Sequence, residues 1–163
     1  MCDIRIIRAE PKQRPMVWAM LQSYLRDLSI HSKIDPPDRD GVYAYKYFDL
    51  YWQESKREAL IFQQGAKTLG FALINDWSAT GRPTDYALAE FYIKSKYRRS
   101  GFGTYIAREI IKQRHGQWET AVSKTDLNAQ SFWRFVVPVA TQEIAGDGNR
   151  WSGPIFRLVS KGL

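Results

Sequence analysis

Residues 94–112, KSKYRRSGFGTYIAREIIK, decide the fold. They follow Asp85 to Ile93, an apolar run rich in aromatic residues that reads as a strand. Past Gly103 the period changes: Ile106, Ala107, Ile110 and Ile111 share one face at helical spacing, with Arg108, Glu109 and Lys112 opposite. A strand therefore passes through Arg98-Arg99-Ser100-Gly101-Phe102-Gly103-Thr104 into a helix. Such a loop suits phosphate. Gly101 and Gly103 let successive N–H groups turn toward one point with no Cβ in the way. The helix start adds free N–H groups and the positive end of the dipole, and Arg98 and Arg99 add charge-assisted donors. Taken alone, the loop reads equally well as an ordinary strand-to-helix turn with a solvated basic run.

Working outward, residues 4 to 8 form a short opening strand. Val17, Met20, Leu21, Tyr24, Leu25 and Leu28 then line one face of an amphipathic helix. Residues 31 to 41 are loop by their prolines, aspartates and glycine, and the aromatic stretch 42 to 52 is expected to be partly buried as a second short helix. Strands follow over 59 to 63, 69 to 75 and 85 to 93, the first two joined as a hairpin at Gln64-Gly65-Ala66. Beyond the basic loop and its helix come a strand at 118 to 123, a helix at 129 to 136, and strands at 139 to 144 and 155 to 160. The sequence thus predicts one α/β (α+β) domain over residues 1–163: a mixed, mostly antiparallel sheet of about seven strands flanked by about four helices.

Composition bounds the function. The chain has 163 residues, a net charge of +7 and a sequence pI near 9.6. Six Trp, nine Tyr and eight Phe exclude a disordered chain. Cys2 is the sole cysteine, which excludes a disulfide scaffold or a Cys-rich zinc site. His31 and His115 lack ligand spacing, so no metal is expected. The N-terminus lacks a signal-peptide core and no run approaches the ~20 apolar residues of a membrane span. These features lead us to expect a cytoplasmic protein with no membrane partner. The basic surplus points to a polyanion. It is concentrated in Lys94, Lys96, Arg98, Arg99, Arg108, Lys112 and Arg114, opposed in that window by Glu109 alone.

Other phosphate motifs fit poorly. No Lys follows Gly103 as a P-loop requires, and Ile106 stands where a dinucleotide fingerprint needs its third glycine. The RNA-recognition octapeptide matches only at Gly101-Phe102-Gly103, and its stacking aromatics must stand on a strand, whereas this segment continues at helical period. What fits is Arg-x-x-Gly-x-Gly at Arg98, Gly101 and Gly103, between a strand and a helix. Here the sequence resembles the GNAT superfamily of acyl-CoA N-acyltransferases, with its Gln/Arg-x-x-Gly-x-Gly/Ala signature. AEFYIKSKYRR resembles that family's fourth strand, Gly70 to Ile74 its third, and Asn128 to Trp133 the helix after its fifth. Tyr51-Trp52, Gly116-x-Trp118-Glu119, Phe132-Trp133-Arg134 and Gly153-Pro154 further resemble a bacterial subgroup of predicted acetyltransferases.

The resemblance implies that acetyl-CoA is the donor. Backbone N–H groups of Arg99, Ser100, Gly101, Phe102, Gly103 and Thr104, with Arg98 before them, would hold the CoA pyrophosphate. Tyr92 and Ile93 would pair with the pantetheine arm in a splay between the fourth and fifth strands, and Asn128 would lie near it. A neutral amine would attack the thioester directly, so the protein must take a proton and stabilise developing negative charge. The position where many relatives carry a Tyr acid holds Trp133, which donates a hydrogen bond but no proton. Trp133 is also readable as packing. Glu90, in the middle of an apolar strand, is the expected base, because burial would lift its pKa into a useful range. The competing reading puts Glu90 on a solvent face or against an arginine. His31 is a weaker candidate base.

The resemblance places the acceptor against residues 31 to 57, where Asp35, Asp38, Asp40, Asp49 and Glu54 outnumber Arg39 and Lys46 between residues 35 and 54. Asp38, Tyr47 and Tyr51 are the expected contacts for a small cationic primary amine. The same aromatics are equally readable as core. Two other functions stay open on sequence: an acyl-CoA-binding sensor without efficient catalysis, and a nucleic-acid-binding module. Family precedent also allows a homodimer through the final strands.

Overall fold

The computed structural model describes residues 3–162, so Cys2 falls outside them. Seven strands make one sheet: β1 (Ile4–Arg8), β2 (Glu58–Gln64), β3 (Lys67–Asn75), β4 (Tyr86–Ile93), β5 (Gly116–Ala121), β6 (Gln142–Ala145) and β7 (Pro154–Ser160), in the order β1-β2-β3-β4-β5-β7-β6. Every neighbouring pair is antiparallel except β4–β5, which is parallel. Three α-helices flank the sheet: α1 (Arg14–His31), α2 (Phe102–Lys112) and α3 (Leu127–Val136).

Three α-helices rather than about four is a correction. The stretch 42–52 holds only a 3-10 turn, Phe48–Trp52, whose buried Phe48 and Tyr51 are three residues apart, the period of that tighter helix. The sixth strand also starts later than expected. Pro138 opens a turn closed by the Thr141 N–H on its carbonyl, and Val139 is left in solvent.

Alternation along the strands sorts side chains into two layers. On one face α1 sends Val17, Met20, Leu21 and Leu25 against Ala59, Ile61, Phe71, Leu73 and Tyr92. On the other, α2 and α3 cover Leu60, Phe62, Ala72, Ile74, Leu88 and Ile93. Each fully buried Leu, Ile or Phe contributes roughly 1.5–3 kcal/mol of burial.

Two irregularities in β4 prepare a site. Leu73 pairs with Glu90 while its neighbour Ile74 pairs with Leu88, so Ala89 is an extra, unpaired residue. This bulge inverts the alternation. Counted regularly from Leu88, Glu90 would face α2 and α3; with the extra residue it faces α1. Second, β4 and β5 pair only at Tyr86–Trp118 and Ala87–Glu119, then diverge. The splay opens just where the bulge sits.

Candidate active site

The loop between β4 and α2 is built as an anion cradle. Arg99 (φ 60°) and Gly101 (φ 80°) both adopt the left-handed conformation, with one residue between. That pattern turns consecutive N–H groups into one concavity. α2 begins at Phe102 with no side-chain cap. Among the described residues, no N–H from Arg99 to Thr104 has a protein acceptor; the first bond of the helix runs from the Tyr105 N–H to Gly101 O. Six free donors on an exposed glycine loop fit a pyrophosphate. Phe102 opens a helix, so the strand geometry of an RNA-recognition octapeptide is absent here.

Arg98 does a different job from its neighbours. Its Nε donates to Ile93 O at 2.8 Å, Nη2 meets Asp27 Oδ2 of α1 at 2.6 Å, and the guanidinium stacks on Tyr92, 5.3 Å from the ring centroid. It braces the end of β4 against α1 rather than standing free. Arg98→Ala is expected to raise the KM for acetyl-CoA ~10-fold, and Asp27→Asn, which leaves the carbonyl bond intact, ~2-fold. Steady-state titration of both variants checks this; equal effects would show that the ion pair, not the brace on Ile93, matters.

Three cations of the basic window serve the fold. Arg98 pairs with Asp27, Arg114 with Glu58 at 2.7 Å, and Arg108 donates to the Phe135 and Val136 carbonyls that end α3. Lys94, Lys96, Arg99 and Lys112 have no carboxylate within 4.0 Å among the described residues. Lys112 lies at the far end of α2, so Lys94, Lys96 and Arg99 are the free charges beside the cradle.

Beyond the cradle lies the splay. The Lys94 N–H bonds Leu69 O on β3. Successive peptide groups of a strand face opposite edges, so those of Tyr92 also face β3, while those of Phe91 and Ile93 face the gap left by β5. Ile93 O is taken by Arg98. This leaves the Phe91 N–H and C=O and the Ile93 N–H as the peptide groups available in the gap, so of the expected pair Ile93 faces it and Tyr92 does not. The Tyr92 and Ile93 side chains are both buried. Asn128 stands exposed on the first turn of α3, and Phe132 of α3 stacks on Phe91 with ring centroids 5.8 Å apart. Trp133 packs against both rings and is 6% exposed, the packing role.

Glu90 lies on the α1 side of this gap. It keeps some accessible surface although protein surrounds it deeply. No arginine pairs with it among the described residues. The Tyr45 hydroxyl donates to Glu90 Oε1 at 3.0 Å, and Tyr24 of α1 turns its hydroxyl to the same carboxylate. Burial pushes the carboxyl up to about 7, against the opposing pull of the two hydroxyls. Burial and the nearby carboxylate hold both tyrosines well above the usual range, so they stay protonated as donors. Sequence reasoning missed both tyrosines. The available signal was a polar tip at position 24 on an otherwise aliphatic helix face.

Of the three expected acceptor contacts, Tyr47 and Tyr51 both flank the Arg57 guanidinium, at 5.5 and 5.3 Å from their ring centroids. Asp38 accepts from the N–H groups of Asp40 and Val42, closing its own exposed turn. Tyr47 is exposed, with Lys46 and Arg57 over its ring. Tyr51 is 2% exposed, so it offers an acceptor no surface. Asp49 pairs with Arg14 and Glu54 with Arg57, leaving the loop much less acidic than its composition suggests. His31 ends α1 in solvent, its carbonyl held by the Thr125 hydroxyl. No three metal-ligating side chains converge among the described residues.

A free-amide cradle at a helix start, an open gap between diverging parallel strands, and a deeply set carboxylate beside that gap lie together at the end of β4. The family model for the acetyltransferase (GNAT) family matches residues 18–135. This chain belongs to that family: it is an acyltransferase, and acetyl-CoA is its donor. Among solved structures it is similar to an acetyltransferase from Thermus thermophilus (12% identity, TM-score 0.72, covering 96% of this chain and 97% of that one). It is also similar to the spermidine N-acetyltransferase of Vibrio cholerae in complex with CoA and spermine (11%, 0.59, 96% and 94%). A third is the ribosomal-protein-S18-alanine N-acetyltransferase of Escherichia coli (14%, 0.59, 98% and 95%). No curated protein matches. No helix among the described residues is long and apolar enough to cross a membrane.

Proposed function

We propose that the protein moves an acetyl group from acetyl-CoA directly to a primary amine, with Glu90 as the base. The observation that carries this is the Glu90 carboxylate, turned to the α1 face by the bulge at Ala89 and lifted to about 7 beside the gap. Acetyl-CoA supplies an activated carbonyl and a thiol leaving group. The free N–H groups from Arg99 to Thr104 would hold its pyrophosphate, with Lys94, Lys96 and Arg99 adding charge. The Phe91 N–H points into the gap, where a donor to the thioester carbonyl is needed. Glu90 accepts a proton from the incoming ammonium, freeing the lone pair that forms the N–C bond; as the C–S bond breaks CoA leaves as the thiolate, which takes the second proton shed by the nitrogen and is released as the thiol. Tyr24 and Tyr45 orient that carboxylate. The acceptor enters as a cation toward one buried carboxylate between tyrosines, so a small amine of net positive charge suits it.

The test is release of CoA thiol from acetyl-CoA across a panel of polyamines, aminosugars and peptide N-termini. Turnover of at least one amine is expected, with kcat/KM rising as pH increases through about 7 and levelling above, since only ionised Glu90 accepts a proton. A protein that binds acetyl-CoA in calorimetry but turns over no amine is the sensor. One that binds an oligonucleotide and not acetyl-CoA overturns the reading altogether.

A further inference from the structure

β4 and β5 keep one more tie after their ladder ends. Their last backbone pair is Ala87–Glu119, and Leu88 and Thr120, next in that register, are joined through a side chain: the Thr120 hydroxyl donates to Leu88 O at 3.2 Å. A carbonyl only accepts, so the direction of this bond is fixed. Thr120 is 7% exposed and Leu88 3%, so little water competes for it. β5 is itself held on its far side, where Thr120 pairs with Phe156 of β7 and Glu119 Oε1 accepts from Arg157 Nη1 at 2.6 Å. It stands as a fixed post for β4. The bulged Ala89 follows Leu88 directly, then Glu90 and Phe91. At the other end of the same edge Arg98 Nε holds Ile93 O at 2.8 Å. The part of β4 that borders the gap is therefore bracketed by two side-chain donors, Thr120 at the end nearer Glu90 and Arg98 at the end nearer the cradle.

We propose that Thr120 is a positioning residue for the acetyl transfer: its bond to Leu88 O fixes where β4 leaves β5, and with it the bulge that aims the Glu90 carboxylate and the Phe91 N–H. The inference rests on the reading of Glu90 as base. An extra residue disrupts the ladder around it, and past Ala87 β5 offers β4 no backbone pair, so the hydroxyl bond is what ties the bulge to the gap side. Misplacement by about 1 Å can cost ~10²-fold in rate, so a small relaxation at Leu88 is enough to be felt at Glu90.

The test separates the hydroxyl from its packing. Thr120→Val keeps the shape and removes the donor, whereas Thr120→Ser keeps the donor and loses a buried methyl. Thr120→Val should lower kcat for the acceptor amine ~10-fold while the calorimetric Kd for acetyl-CoA stays within ~2-fold of the parent, the reverse of the KM effect expected for Arg98→Ala. Thr120→Ser should melt a few degrees below the parent yet keep kcat within ~2-fold, so that turnover follows the hydroxyl and not stability. Should the Val variant fail to fold, Thr120→Ala read against Thr120→Ser removes the same hydroxyl, and the same ~10-fold fall in kcat is expected. Parent kcat in the variants that lack the hydroxyl, a Thr120→Ser as slow as they are, or a loss of acetyl-CoA affinity as large as the loss of kcat overturns the role of Thr120 and leaves the base assignment standing. Normal turnover by Glu90→Gln overturns the base assignment instead.

Discussion

Glu90→Gln is expected to lower kcat/KM for the acceptor amine by about 10²–10⁴-fold while leaving acetyl-CoA affinity within ~2-fold. The carboxylate lies on the α1 side of the gap, and the cradle lies past the end of β4, so the two effects separate. The residual rate should lose its acidic limb near pH 7, because the titrating group is gone. The effect on stability has the opposite sign. Glu90 carries a pKa of about 7 in the folded protein against an ordinary 4.5, so the folded state binds the proton more tightly than the unfolded chain. Stability therefore falls as pH rises between about 4.5 and 7, by about 3 kcal/mol in all. The Gln variant escapes this loss. Its Tm should exceed that of the parent at pH 8, with the advantage gone by pH 4. A variant that is inactive and also less stable at pH 8 would indicate damage rather than removal of a base.

Gly70→Ala is expected to be as damaging to the fold as Glu90→Gln is to turnover. A Cβ at position 70 would stand 1.9 Å from Tyr92 O and 3.1 Å from Ile93 Cα. Both are backbone atoms of the neighbouring strand, so no rotamer change relieves the overlap. β3 and β4 would have to separate at the centre of the sheet, where Gly70 pairs with Ile93. A loss above ~4 kcal/mol follows from such a clash, a drop in Tm of about 10–15 °C for a chain of this size. The separation would also displace the Phe91–Ile93 segment that borders the gap, so surviving protein should bind acetyl-CoA weakly. Melting curves of the two proteins decide it, and a Tm within 3 °C of the parent would refute the close approach.

Much of the fold was legible because it depends on local period. The apolar faces of α1 and α2 and the alternation of β2 to β4 stand in the sequence, as does the hairpin turn at Gly65-Ala66. The aromatic stretch before β2 misled, because Tyr43 and Phe48 are buried without a continuous helix; a period of three over five residues looks like a short α-helix until its partners are known. The cradle was legible for the same local reason, since left-handed backbone at Gly101 and a helix beginning beside it are encoded within a few residues. The assignment of Arg98 was not. Its role depends on Asp27, 71 residues away in the chain, and a charge run cannot reveal which of its members is already paired. Nor could five acids between Asp35 and Glu54 reveal that Asp49 and Glu54 are neutralised by Arg14 and Arg57.

By itself the sequence determined the order of the strands and of the three α-helices, the glycine loop that opens α2, and the identity of one carboxylate worth suspecting on β4. Each of these follows from side-chain chemistry and spacing within a single element. Only the tertiary structure decided which face Glu90 serves. That depends on one extra residue, Ala89, in the register between β3 and β4, and register is a property of two strands together. The same holds for Tyr24 and Tyr45: helix and aromatic stretch come from distant parts of the chain, and only their packing brings their hydroxyls to one carboxylate.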